Sequence, residues 1–207
     1  NLIINGDAEA ASASIFTPYA DATSRPADGV GGVPNVTTSI TSSFPLTGNK
    51  SFLLTKDAAN RQGQGWSVPF SVPLSMRAKV LQIDIDYIVN SGTFVAGSPT
   101  VDSDVIWYLY DITNSTLIEP SSIKLLSNSS TLSDKFRSTF QTSATGSSYR
   151  LIAHCATTSA LAYELKVEVS ISPSVYVYGT PITDWQQYTP TFVALGTVTS
   201  VDMRWRR

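Results

Sequence analysis

Apolar side chains fall at every second position in Tyr163-Glu-Leu-Lys-Val-Glu-Val-Ser-Ile171, with charges and Ser170 between them. That alternation predicts a strand with one dry face and one wet face. Leu81-Gln-Ile-Asp-Ile-Asp-Tyr-Ile-Val89 repeats it, setting Leu81, Ile83, Ile85, Tyr87 and Val89 against Gln82, Asp84 and Asp86. Two such strands predict antiparallel sheets packed face to face, whose interior is committed to cohesion. Activity is then expected on an outer sheet face or in the loops.

Further strands are predicted at 51–55, 65–72, 104–111, 118–126, 135–141 and 148–155, and a short one at 1–7 running into the Asn5-Gly6 turn. Pro69 marks 65–72 as an edge or a bulge. The stretch 104–111 is apolar on both faces, so its second face should be covered. In 148–155 the inward row is Tyr149, Leu151, Ala153 and Cys155. Residues 8–47 hold many small residues with Pro18, Pro26, Pro34 and Pro45, and read as long loops containing a strand or two. No segment keeps a 3.6 period over three turns. Eight to ten strands separated by turn signals predict an all-β jelly-roll antiparallel β-sandwich.

The texture changes near 172: residues 1–172 form the sandwich, 173–184 a linker, and 185–207 a short C-terminal β extension, either the start of a second β module or an inter-subunit strand. Such a short piece cannot enclose its own core. The chain opens on Asn1 rather than Met, from which a piece of a longer polypeptide is expected. No run approaches 18 apolar residues and no basic leader is present, so neither membrane insertion nor a signal peptide is expected in this segment.

Composition narrows the partners. Of 207 residues 52 are Ser or Thr, whereas only 14% are charged, giving a polar, nearly neutral surface. A net charge of -2 carries no basic footprint for nucleic acid. The lone Cys155 cannot close an internal disulfide and reads as core filler.

Sugar recognition needs aromatic faces for the apolar side of a ring, with amides and carboxylates for its hydroxyls. Tyr108 and Tyr110 share one strand face and form a candidate platform beside Asp84 or Asp86, should their strands be neighbours. Trp66, near Gln62 and Gln64, is a second candidate. Each aromatic also has a plain reading as core. Asp7 and Glu9 are candidate ligands for a structural calcium ion, which takes six to eight oxygens; turn chemistry explains them equally. No catalytic residues are expected. Asp84 and Asp86 sit two apart on one strand face, unsuited to an acid and nucleophile pair across a cleft. His154 and Cys155 are strand neighbours pointing oppositely and form no dyad.

The opening Asn1-Leu-Ile-Ile-Asn-Gly-Asp-Ala-Glu9 resembles the first strand of carbohydrate-binding modules with the galactose-binding-like jelly-roll fold. Residues 163–171 resemble their last strand, and 136–142 with 148–152 the strands before it, so the resemblance covers about 1–172. Lys166 and Glu168 stand where those modules often carry an Asp pair for calcium, a departure that tells against the metal site. The junction Tyr178-Gly-Thr-Pro-Ile-Thr-Asp-Trp-Gln-Gln-Tyr-Thr-Pro-Thr-Phe192 resembles a linker of bacteriophage tail-fibre and appendage proteins. That resemblance implies a virion protein, a homotrimer among other virion proteins, that meets the host surface; sparse charge, abundant Ser and Thr and the lack of catalytic groups then fit a non-enzymatic role, binding host-surface glycan or acting as a rigid spacer. The alternatives are a carbohydrate-binding module of a secreted bacterial glycoside hydrolase, and a capsid decoration or tail-attachment protein without ligand.

Overall fold

A computed structural model describes residues 1–21 and 23–174. Ten strands follow in order: β1 (Thr17–Ala20), β2 (Thr37–Thr41), β3 (Ser51–Lys56), β4 (Gln64–Ser71), β5 (Val80–Gly92), β6 (Val105–Asp111), β7 (Thr116–Ile118), β8 (Asp134–Gln141), β9 (Ser148–Cys155) and β10 (Tyr163–Pro173). The one helical element among the described residues is a 3-10 turn, Leu74–Met76.

The strands form two five-stranded antiparallel sheets, ordered β1-β4-β9-β6-β7 and β2-β3-β10-β5-β8. From β3 onward the chain crosses repeatedly between them, leaving β4-β9-β6-β7 against β3-β10-β5-β8. That strand order is the jelly roll, to which β1 and β2 each add one edge strand.

Alternation dictates the packing. Leu81, Ile83, Ile85, Tyr87 and Val89 of β5 are all buried, as are Tyr163, Leu165, Val167, Val169 and Ile171 of β10. From the first sheet they meet Trp66, Val68 and Phe70, Trp107 and Leu109, and Tyr149, Leu151, Ala153 and Cys155 in one core. Pro69 lies beyond the last β1 pair, Thr17 with Ser67, where β4 has a neighbour only on its β9 side. A missing N–H is harmless at such an edge.

Two predicted strands are corrected. Residues 1–7 are turns, with Asn5 at φ 55, and they take over the flank of β10 where its pairing with β3 ends at Val167. There Leu2 N–H donates to Ile171 O at 2.7 Å and Val169 N–H to Gly6 O at 2.8 Å. Over 118–126 only the first residue is in a strand; Pro120 interrupts the ladder, and an isolated bridge joins Lys124 to Ile106.

The compact unit around this core is Asn1–Pro173. Residues 175–184 of the expected linker and the whole extension 185–207 lie outside the described residues. No helix among the described residues is long and apolar enough to cross a membrane.

Candidate functional site

The outer face of the second sheet is polar because β5, β8 and β10 each turn their non-core residues to it. Cross-strand register sets Asp84 beside Arg137 and Ser170, and Asp86 beside Lys135 and Glu168. Arg137 Nε lies 2.9 Å from Asp84 Oδ1, and Lys135 Nζ 2.6 Å from Asp86 Oδ1. Gln82 Nε2 donates to Asp84 Oδ2 at 2.6 Å. With Asn1, Gly6 and Asp7 these groups, Gln82 excepted, line a groove of about 250 Å³. Its floor presents paired carboxylates and cations, a surface of directional donors and acceptors with no aromatic lining.

The loop between β2 and β3 is tied by charged side chains to the same outer face, one of them the groove-lining Glu168. Glu168 is only 7% exposed, and its carboxylate accepts from Thr47 N–H at 2.9 Å, Thr47 Oγ1 at 2.6 Å and Ser51 Oγ at 2.9 Å. Lys166 is 5% exposed and donates to Ser43 O at 2.7 Å and Phe44 O at 3.0 Å. Glu9 accepts from Asn49 N–H at 2.7 Å, Asn49 Nδ2 at 2.9 Å and Lys50 N–H at 2.8 Å. Those bonds, the Asn49 side chain first, hold the Glu9 carboxyl below its ordinary range.

The outer face of the first sheet is covered. Residues 23–33 pack on it at Ile152, a member of a second apolar cluster with Tyr19, Ile106, Tyr108 and Ala156. Ser67 Oγ donates to Gly29 O at 2.7 Å and Arg150 Nη1 to Asp28 O at 2.6 Å, pinning this strap by its carbonyls. Gly29, at φ 75, sits so close that a Cβ there would lie 2.7 Å from Ile152 Cδ1. His154 joins the strap to the sheet: its Nε2 is 3.1 Å from Thr23 O, and its Nδ1 is 2.6 Å from Tyr19 Oη. A carbonyl only accepts, so Nε2 carries the proton and Nδ1 takes the Tyr19 hydroxyl's hydrogen. Burial pushes the His154 pKa down to about 4.

This geometry revises the aromatic candidates. Trp66 is fully buried in the main core, its Nε1 donating to Thr37 O at 2.6 Å, and offers no face to a ligand. Tyr108 is buried in the second apolar cluster and Tyr110 is half-buried against it. They belong to β6 in the first sheet, whereas Asp84 and Asp86 belong to β5 in the second, so the two pairs make no joint platform. Asp7 and Glu9 also part company. Asp7 faces the groove while Glu9 holds the 49–50 turn, and no group of three or more His, Cys, Asp or Glu able to hold a metal ion occurs among the described residues. Cys155 and His154 point to opposite sides of β9, as alternation requires.

Sequence reading missed Phe44 and the burial of Lys166 and Glu168. The latter two have the phase of solvent-facing residues, and only the long-range return of the loop buries them. Phe44 had a local signal, an aromatic set between Ser43 and Pro45 in a loop rich in Ser, Thr, Gly and Asn.

No family model and no curated protein matches the chain by sequence. Among solved structures it is similar to the CBM22-1 xylan-binding domain from Paenibacillus barcinonensis Xyn10C, at 14% identity over 76% of this chain and 92% of that one, with a TM-score of 0.45. It is similar to TmCBM61 in complex with β-1,4-galactotriose at 8% identity over 84% and 99%, with a TM-score of 0.49. A third is the enzymatically active domain of tailspike protein 4 from bacteriophage CBA120, at 11% identity over 84% of this chain but 21% of that chain, with a TM-score of 0.48. Two of these are carbohydrate-binding modules and one is part of a phage tailspike. The jelly-roll assignment itself rests on strand order.

Proposed function

We propose that the chain is a non-enzymatic glycan-binding domain of a virion appendage such as a phage tail fibre, acting on host-surface sugar and working as a homotrimer. The observation that carries the binding reading is the groove on the second sheet, where Asp84, Asp86, Ser170, Lys135 and Arg137 gather hydrogen-bond donors and acceptors on one face. Ion-paired carboxylates on a strand face accept hydrogen bonds from sugar hydroxyls. Asp84 and Asp86 share one side of one strand, so this pair is not set as an acid and a nucleophile facing each other across a bond to be cleaved. The virion setting is supported by the junction sequence 178–192, and three copies would turn weak single contacts into useful avidity.

The test is a glycan array probed with wild type and with the Asp84→Asn, Asp86→Asn double variant. Wild type should bind a defined subset of glycans, and the variant should lose about tenfold or more, the worth of one or two charge-assisted bonds. Absence of binding by wild type, or equal binding by both, overturns the reading. A second reading, a module of a secreted bacterial hydrolase, draws on the 1–9 opening and uses the same groove; it predicts a monomer.

A further inference from the structure

We propose that Phe44 is the stacking surface of this glycan site, presented on a loop that buried charges hold rigid. The proposal rests on the glycan reading above and names the residue that would take the apolar face of a sugar ring.

Phe44 is 89% exposed and has φ 48. A bulky residue in the left-handed region is strained, and a benzyl ring in water forgoes the gain of burial. Packing explains neither, because Phe44 belongs to neither apolar cluster. Such a conformation persists only where the surroundings over-determine it. Here they do: Lys166 grips the Ser43 and Phe44 carbonyls, Glu168 holds Thr47, and Glu9 holds Asn49 and Lys50. Taking Lys166 and Glu168 out of water is unfavourable unless their polar atoms are well paired, and the backbone of this one loop supplies pairs to both.

The surroundings identify the occupant. Ser42, Ser43, Thr47, Gly48 and Asn49 of the same loop are exposed, while its other apolar residues, Pro45 and Leu46, are half-buried, so Phe44 is the one fully exposed apolar side chain of this loop. A protein-docking anchor would be ringed by further apolar contacts that exclude water. A pyranose needs one aromatic face for its C–H side and polar groups about its rim. Those groups are at hand, since Glu168 both holds Thr47 and lines the groove with Asp84, Asp86 and Ser170. Along β10, Lys166 under Phe44 and Glu168 in the groove are two residues apart, about 7 Å by strand rise.

The experiment compares Phe44→Ala, Phe44→Gly and Phe44→Trp with wild type, by thermal melting and by affinity for the strongest glycan on the array. Glycine adopts this φ without strain, so Phe44→Gly should melt at or above wild type yet bind about tenfold or more weakly, as should Phe44→Ala. Phe44→Trp should bind at least as tightly as wild type. If Phe44→Ala and Phe44→Gly bind unchanged while Asp84→Asn, Asp86→Asn loses binding, the groove reading stands and the role of Phe44 is overturned. If wild type binds no glycan, both are overturned.

Discussion

His154 is fully buried between Tyr19 and the carbonyl of Thr23, so its neutral form is the one the fold accommodates. As pH falls, the unfolded chain protonates near the ordinary 6.5 while the folded protein resists until about 4. The stability that neutral His154 contributes is complete above about 6.5 and is lost progressively down to about 4, by up to about 3 kcal/mol. Asp21 works in the opposite sense, because burial raises its carboxyl pKa and acid therefore favours the fold there. Urea melts at pH 7.5 and 4.5 for wild type and His154→Gln isolate the histidine, and the pH-linked loss should shrink in the variant. Burial also pushes the Cys155 thiol up to about 11. Iodoacetamide at pH 8 should leave the native thiol unlabelled and react with it in denaturant. The opposite pointing of His154 and Cys155 was legible from alternation alone. The His154 partners were not, since Tyr19 and Thr23 are separated from it by more than a hundred residues.

At the scale of elements, β5 and β10 are the strands most plainly written in sequence, because each has one dry face and a strict period of two. Ile85→Ala should cost about 2–5 kcal/mol by opening a cavity between the sheets. Lys135→Ala, which removes an exposed ion pair with Asp86, should cost under about 1 kcal/mol, and denaturant midpoints check both. The elements that cover the sheets were illegible. Residues 23–33 and 42–50 have no periodicity, and their positions come from side chains that bond backbone carbonyls and amides across long sequence separations. Glu168→Ala leaves Thr47 N–H and the Thr47 and Ser51 hydroxyls without their acceptor, at about 3 kcal/mol. Hydrogen exchange at Thr47 should then speed up far more than at Ile85. The misread strands have equally concrete causes, Pro120 in one and the turn at Asn5 in the other.

For the whole molecule, the sandwich follows from counting alternating segments, and its jelly-roll order from the way strands after β3 change sheets. Which outer face stays open was beyond sequence reading, because it depends on which loop returns to which sheet. Of the aromatic residues marked from sequence Trp66 went to the main core, Tyr108 to the second apolar cluster and Tyr110 to its edge, while the paired carboxylates of β5 stayed half-buried on the outer face of the second sheet. Light scattering on the eluting protein addresses assembly, with a stable trimer expected for an appendage segment and a monomer for a hydrolase module. The most direct test is an amide-shift map during titration with the strongest array glycan. Shifts should gather on outward residues of β5, β8 and β10 and on 42–50, leaving 23–33 and the core unchanged. Shifts confined to the strap and to Tyr108 and Tyr110, or none at saturating glycan, would contradict it.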